Sequence, residues 1–232
     1  MTRAVFFDVG NTLLFPYPSV SEVCRQVLLN AGHVRDLEAI DAFMPLVDAY
    51  YEDRYREDDT FWTDEGETNE VWVGMYSLLA RKLGLKEDAE DLARRVYDEF
   101  GRADRWRAYE DVVPALMRIK GRGHCIGVIS NWDRRLTTLL EGLGIAGLLD
   151  TIVSSAEVGL HKPDPRIFEL ACNRVGVEPQ DAVHVGDHHY ADILGASAVG
   201  MIPVLIDRQQ TPPFGRGIGT LDALEAFLGW SV

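Results

Sequence analysis

The sequence predicts an α/β fold, an open and mainly parallel sheet with a long helical insertion. Three observations lead there. Short apolar runs recur along the chain, helical patterns separate them, and one helical stretch after the first run breaks the alternation. Strands alternating with helices imply βαβ units and a parallel sheet with right-handed crossovers.

The first run, residues 3–8 (RAVFFD), is stopped by the turn pair Gly10-Asn11, as expected of a buried strand. Four later runs share its character: residues 125–130 (CIGVIS), 151–154 (TIVS), 182–185 (AVHV) and 201–206 (MIPVLI). Leu136, Leu139, Leu140 and Leu143 recur at the spacing of one helix face, and Val112, Leu116 and Ile119 do the same before Gly121. Residues 19–100 hold no convincing strand. Their pattern is helical, and they carry much of the acidic charge, as in Glu57-Asp58-Asp59 and Asp64-Glu65. At roughly 80 residues this stretch exceeds an ordinary crossover. It is read as a helical cap domain, residues 17–103, set into a Rossmann-like core of residues 1–16 and 104–232. The bland alternative is a set of helices packed directly on the sheet. Residues 211–219 are rich in Pro and Gly and read as a loop, after which Thr220 is placed to cap a last helix through Leu228.

Composition narrows the function. Of 232 residues 47% are hydrophobic, enough for a buried core. Lys and Arg number 23 against 37 Asp and Glu, for a formal net charge of -14. Such a chain repels nucleic acid and anionic membranes unless basic residues cluster, and the densest basic spots are only Arg81-Lys82 and Arg134-Arg135. Neither partner is expected. Cys24, Cys125 and Cys172 show no CxxC spacing and are expected as reduced thiols that pack as small hydrophobes. No apolar stretch is long enough to span a bilayer and no signal-peptide pattern is present, so a cytoplasmic protein, by default a monomer, is expected.

In open parallel sheets, ligands bind beyond the carboxyl ends of the strands. The first run ends in Asp8, the second in Ser130-Asn131. Lys162 follows the third, and Asp187 closes the fourth with Asp192 five residues later. This set suits phosphoryl transfer. A carboxylate can attack phosphorus to form an aspartyl-phosphate. Two anions must then approach, and Mg2+ held by Asp8 and Asp187 would screen them. Lys162 adds positive charge, and Ser130 can hold non-bridging oxygens. Taken singly, each residue has a duller explanation. Asp8 could bond a turn, Ser130-Asn131 and Asp133 could cap a helix, Lys162 could be solvated, and Asp187 and Asp192 could flank a helix start. Four strand ends that all carry the required residue type outweigh those alternatives.

The segments DVGNTL, VISN, HKPDPRIF and HVGDHHYADILGA resemble, in order, the four motifs of haloacid dehalogenase-like hydrolases of subfamily IA, whose helical cap is of the C1 type. ISNWDRRL followed by KPDPRIF is most similar to the rhythmically-expressed-gene-two-like branch. The resemblance implies Asp8 as nucleophile and metal ligand, Ser130 and Asn131 at the phosphate, and Lys162 as the charge-neutralising catalytic residue. It implies the Gly10 carbonyl and Asp187 as further ligands of Mg2+, and Asp192 as their support. The expected substrate is a small phosphorylated metabolite.

One departure matters. Phosphatases of this family usually carry Asp two residues after the nucleophile, as the acid/base for the leaving group. Here that position is Gly10. General acid–base catalysis contributes about 10²–10⁴-fold, so alkyl phosphates should react slowly while acyl or nitrophenyl phosphates suffer less. His188, His189 or His161 could substitute, though exposure at a helix start is the plainer account of the first two. A zinc site on His184, Asp187 and His188 has the wrong spacing. Tyr51, Tyr55, Phe61 and Trp62 could face a substrate, but packing within the cap explains them more simply. Trp132 either lines the pocket or wedges beside it. Two rival functions remain: a binding protein that keeps the metal site without turnover, favoured only by Gly10, and a haloacid dehalogenase, disfavoured by Gly186-Asp187. The absence of GxGxxG argues against a dehydrogenase.

Overall fold

The computed structural model describes residues 2–209 and 217–230. Eight strands are present among them: β1 (Ala4–Phe7), β2 (Leu14–Pro16), β3 (Trp106–Ala108), β4 (Cys125–Ser130), β5 (Thr151–Ser154), β6 (Ala182–Gly186), β7 (Ile202–Ile206) and β8 (Gly217–Ile218). Six form one sheet in the order β5-β4-β1-β6-β7-β8, with every pair parallel. This is the α/β Rossmann-like architecture expected from the apolar runs. β1 is central, and all four of its residues are fully buried, as a strand covered on both faces requires. Phe6 packs with Ile129, Ile167 and Phe168 on one side of it.

The order of the strands locates a crevice. From β1 the chain moves outward to β4 and β5, then returns across β1 to lay down β6 and β7. The reversal falls at the carboxyl end of β1, where open α/β sheets bind ligands. In register, Phe7 pairs with Val128 on one side and Val185 on the other. Residues just beyond these three strands are therefore neighbours.

The chain divides into two compact units, residues 16–107 and the remainder. The main helices of the smaller unit are Val20–Asn30, Met44–Glu57, Glu65–Lys82 and Ala89–Glu99. Local chemistry fixes their ends. Ser19 accepts from Glu22 N at 3.1 Å. Asp64 accepts from Gly66 N and Glu67 N at 2.8 and 3.1 Å. Glu65 and Glu67 sit in the first turn of that helix and Arg81 and Lys82 in its last, both favourable to its dipole. Phe61 and Trp62 are buried in this unit's own core, and Tyr51 stacks on Trp72 at 6.0 Å.

Some of the structure departs from the sequence-based expectation. The short strands β2, β3 and β8 were not expected. Residues 211–216 of the expected final loop lie outside the described residues, while Gly217 and Ile218 pair with Leu205 and Ile206 as β8. The last helix is shorter than expected: a 3-10 turn, Leu221–Ala223, leads into Leu224–Phe227. Thr220 makes no side-chain cap. Asp111 takes that role from far away in sequence, accepting from Leu221 N at 2.7 Å. Cys24 and Cys172 are free and buried, and burial pushes the Cys24 thiol up to about 12, an unreactive state. Among the described residues no helix is long and apolar enough to cross a membrane.

Candidate active site

Asp8 follows β1 directly, and its own N–H donates to Val185 O at 2.9 Å, which continues the pairing of β1 with β6. The chain then turns sharply. Leu13 N and Leu14 N both donate to Val9 O, at 2.9 and 2.8 Å, and Asn11 N donates to Leu14 O at 2.8 Å. The left-handed residue of this turn is Asn11, at φ 50°, a conformation that Asn tolerates. Gly10 is not in that region. A Cβ built on Gly10 meets only Trp132 Cζ3 at 3.6 Å, an ordinary contact. Nothing in the backbone therefore demands glycine at position 10.

The Asp8 carboxylate is held through one oxygen. Ser130 Oγ, at the end of β4, donates to Oδ1 at 2.9 Å, and Lys162 Nζ donates to the same atom at 2.7 Å. Lys162 also donates to Asp192 Oδ1 at 2.5 Å. Its side chain is only 2% exposed, which rules out the solvated loop lysine. Burial works against the Lys162 charge, but Asp192 and Asp8 outweigh it and hold the ammonium well above the ordinary lysine range. Lys162 is thus a fixed cation. Asn131 secures its main chain from both sides: Lys162 N donates to Asn131 Oδ1 at 2.7 Å, and Asn131 Nδ2 donates to Lys162 O at 2.9 Å. Both ends of that amide are committed to the Lys162 turn.

Asp192 is equally buried and belongs to a wide π-helical turn, His189–Leu194. Burial would push its carboxyl up, yet Lys162 and the His184 bond hold it well below the usual carboxylate range. Its Oδ2 accepts from His188 N at 3.0 Å. A side chain at Gly186 would collide with Asp192, so the glycine before Asp187 is what allows this carboxylate to tuck in.

Asp187 has the opposite electrostatics. Burial first, then the negative charges of Asp8 and Asp192, push its carboxyl up to about 7. Asp8, Asp187 and Asp192 each bring a carboxylate oxygen within 4.8 Å of the others. Hard oxygen donors so close together, with one acid destabilised by the others, fit a divalent cation such as Mg2+. Lys162, His184 and His188 N already engage Asp192, so its oxygens are the most committed of the three carboxylates.

Two contacts were missed from the sequence. His184, weighed there only as a zinc ligand, lies inside β6, is fully buried and bonds Asp192 Oδ1 at 2.8 Å through Nε2. Burial lowers its basicity. Arg208 clamps the far end of the Asp8 turn. It donates to Thr12 O at 3.2 and 2.6 Å, pairs with Asp111 at 2.6 Å and lies 4.1 Å over the Tyr109 ring. His188 and His189 are exposed, and His188 Nδ1 accepts from Ala191 N at 3.0 Å as the cap of the π-helical turn.

Among known proteins, the model of the haloacid dehalogenase-like hydrolases matches residues 2–200. The chain is 32% identical over 208 residues to haloacid dehalogenase-like hydrolase domain-containing protein 3 of Mus musculus, covering 88% of this chain and 81% of that one. It is 31% identical over 215 residues to the glyceraldehyde 3-phosphate phosphatase of Methanopyrus kandleri, covering 90% and 85%. The crystal structure of a HAD phosphatase from Thermococcus onnurineus matches with a TM-score of 0.67 at 27% identity, over 98% of each chain.

Proposed function

We propose that this chain, which belongs to the haloacid dehalogenase-like hydrolase family, is a magnesium-dependent phosphohydrolase that works through an aspartyl-phosphate on Asp8. The observation that carries the proposal is the double commitment of Lys162 Nζ, to Asp8 Oδ1 at 2.7 Å and Asp192 Oδ1 at 2.5 Å, with Ser130 on the same Asp8 atom. This grip orients one carboxylate and sets a permanent positive charge beside it. Such an arrangement suits attack on an anionic phosphate.

The residues divide the work. Asp8 attacks phosphorus, a P–O bond to its carboxylate forms as the bond from phosphorus to the leaving oxygen breaks, and that oxygen departs as the anion or takes a proton from water. Water then hydrolyses the aspartyl-phosphate and restores the Asp8 carboxylate. Lys162 neutralises charge on the phosphoryl oxygens. Ser130 holds them in place, and Asn131 contributes through its grip on the Lys162 main chain. Mg2+, held by Asp8, Asp187 and the Gly10 carbonyl, would supply the remaining positive charge. Asp192 supports the site through Lys162. Residues 17–103 act as a cap domain that selects a small phosphorylated substrate, in keeping with a relative named for glyceraldehyde 3-phosphate.

Gly10 sets the limit. With no side chain there to protonate a leaving alkoxide, the preferred substrates have good leaving groups. Gly10 is also the one observation that favours a second reading, a binding protein that keeps the metal site without turnover. Hydrolysis of para-nitrophenyl phosphate and acetyl phosphate, with Mg2+ and with EDTA, separates the two. Turnover that needs Mg2+ supports the hydrolase. Silence on both substrates with Mg2+ bound supports the binder.

A further inference from the structure

His184 stands behind the charge network, and we infer that it is a positioning residue: its Nε2–H fixes the Asp192 carboxylate against which Lys162 is held at Asp8. The inference rests on the hydrolase reading of the site. Four groups form a continuous chain of short contacts. Asp8 Oδ1 meets Lys162 Nζ at 2.7 Å, Lys162 Nζ meets Asp192 Oδ1 at 2.5 Å, and Asp192 Oδ1 meets His184 Nε2 at 2.8 Å. Lys162 and His184 converge on one carboxylate oxygen while His188 N takes the other. A carboxylate accepts but does not donate, so Nε2 carries the hydrogen.

The other ring nitrogen argues that this bond is the reason for a histidine here. Nδ1 is buried and has no hydrogen-bond partner among the described residues. The ring lies edge-on to Phe168 at 5.2 Å and is fully buried. Its neighbours in the sheet are Phe6 and Pro203, and the rest of β6 is Ala, Val and Gly. Space of this kind is filled at lower cost by an apolar side chain, because an unpaired buried polar atom is unfavourable. What an apolar residue cannot do is donate to Asp192. The bond is charge-assisted and hence stronger than a neutral one. Without it, the carboxylate, whose own torsion is broad and soft, keeps only Lys162 on Oδ1 and His188 N on Oδ2, and the anion that aims Lys162 at Asp8 is less firmly fixed. Misplacement of a reacting constellation by about 1 Å can lower a rate by about 10²-fold.

Two substitutions separate positioning from packing. His184→Gln places an amide N–H near the position of Nε2 but fills the space poorly. His184→Phe keeps the ring and loses the donor. Positioning predicts that Gln keeps most of kcat while Phe loses about 10- to 100-fold, with KM little changed in both. Packing predicts the reverse order, and that order would overturn the inference. The wild type and Asp8→Asn are assayed alongside on acetyl phosphate. If the wild type itself shows no Asp8-dependent turnover, the hydrolase reading fails. The nitrogen resonances of the buried imidazole then test His184 without turnover, as they do if neither variant folds. A protonated Nε2 and a bare Nδ1, both perturbed in Asp192→Asn, are expected. A proton on Nδ1 in the wild type refutes the assignment.

Discussion

In the unit of residues 16–107, arginines meet carboxylates at the surface; in the core unit, Lys162, Asp192 and His184 meet where water does not reach. The surface pairs are one helical turn apart: Arg94 with Glu90 at 2.6 Å, Arg95 with Asp91 at 2.8 Å, Arg54 with Glu57 at 3.0 Å. More than half of each Arg94 and Glu90 side chain is exposed. Such pairs contribute little, because water competes for both charges and the side chains lose freedom. The core charges are opposite in kind. Burying an ion is costly, and the expense is offset only by close partners on every side. Apolar residues of similar volume often stabilise as well or better. Buried charge of this density is thus poorly explained by stability, and the chemistry proposed for Asp8 gives it a reason.

The largest expected effect is at Asp8. Asp8→Asn removes the proposed nucleophile and should abolish phosphate hydrolysis while circular dichroism stays unchanged; activity retained in that variant would take Asp8 out of the mechanism. Next comes the missing acid. Gly10 has an ordinary backbone conformation and room for a Cβ. Gly10→Asp should therefore fold, and it should raise turnover of an alkyl phosphate, by up to about 10²–10⁴-fold if the new carboxyl reaches the leaving oxygen. An unchanged rate would mean that another group already supplies the proton.

A smaller effect distinguishes the two kinds of charge by pH. The Asp187 carboxyl is pushed up to about 7 by burial and by Asp8 and Asp192. The folded chain then holds a proton that the unfolded chain releases near pH 4. Between these values this group's contribution to stability falls as pH rises. Mg2+ at the proposed site would bind the carboxylate form, so the rise in melting temperature it causes should be larger at about pH 8 than at about pH 6. Equal rises at both pH values would remove Asp187 from the metal site. The smallest effect belongs to the surface pairs. Arg94→Ala should change stability by about 0.5 kcal/mol or less in a thermal melt, and leave kcat unaltered. A large loss of activity there would erase the contrast between the two units.

The sheet was legible because its strands are apolar on both faces and end abruptly. RAVFF stops at Asp8, and CIGVI stops at Ser130. Each break in an apolar run marks a strand end, and strand ends at a topological reversal are where ligands bind. The contacts of Asp8 with Ser130 and Lys162 follow from that geometry. The contact of His184 with Asp192 was not legible, because AVHV shows a polar residue in an apolar strand but not which group it meets. Its partner is Asp192, brought back by the close approach over Gly186. Strands of two or three residues such as β2, β3 and β8 are too short to show a period. Arg208 and Asp111 are joined across 97 positions, and no local pattern encodes such a pair.

The central claim is a covalent bond to Asp8, and trapping it is the most direct test. Protein mixed with acetyl phosphate and Mg2+ is quenched in acid, digested and examined by mass spectrometry. A phosphoryl group on the peptide that contains Asp8, absent from the Asp8→Asn variant, is the expected result. Turnover of acetyl phosphate with no adduct on Asp8, or with the adduct on another side chain, would contradict the account.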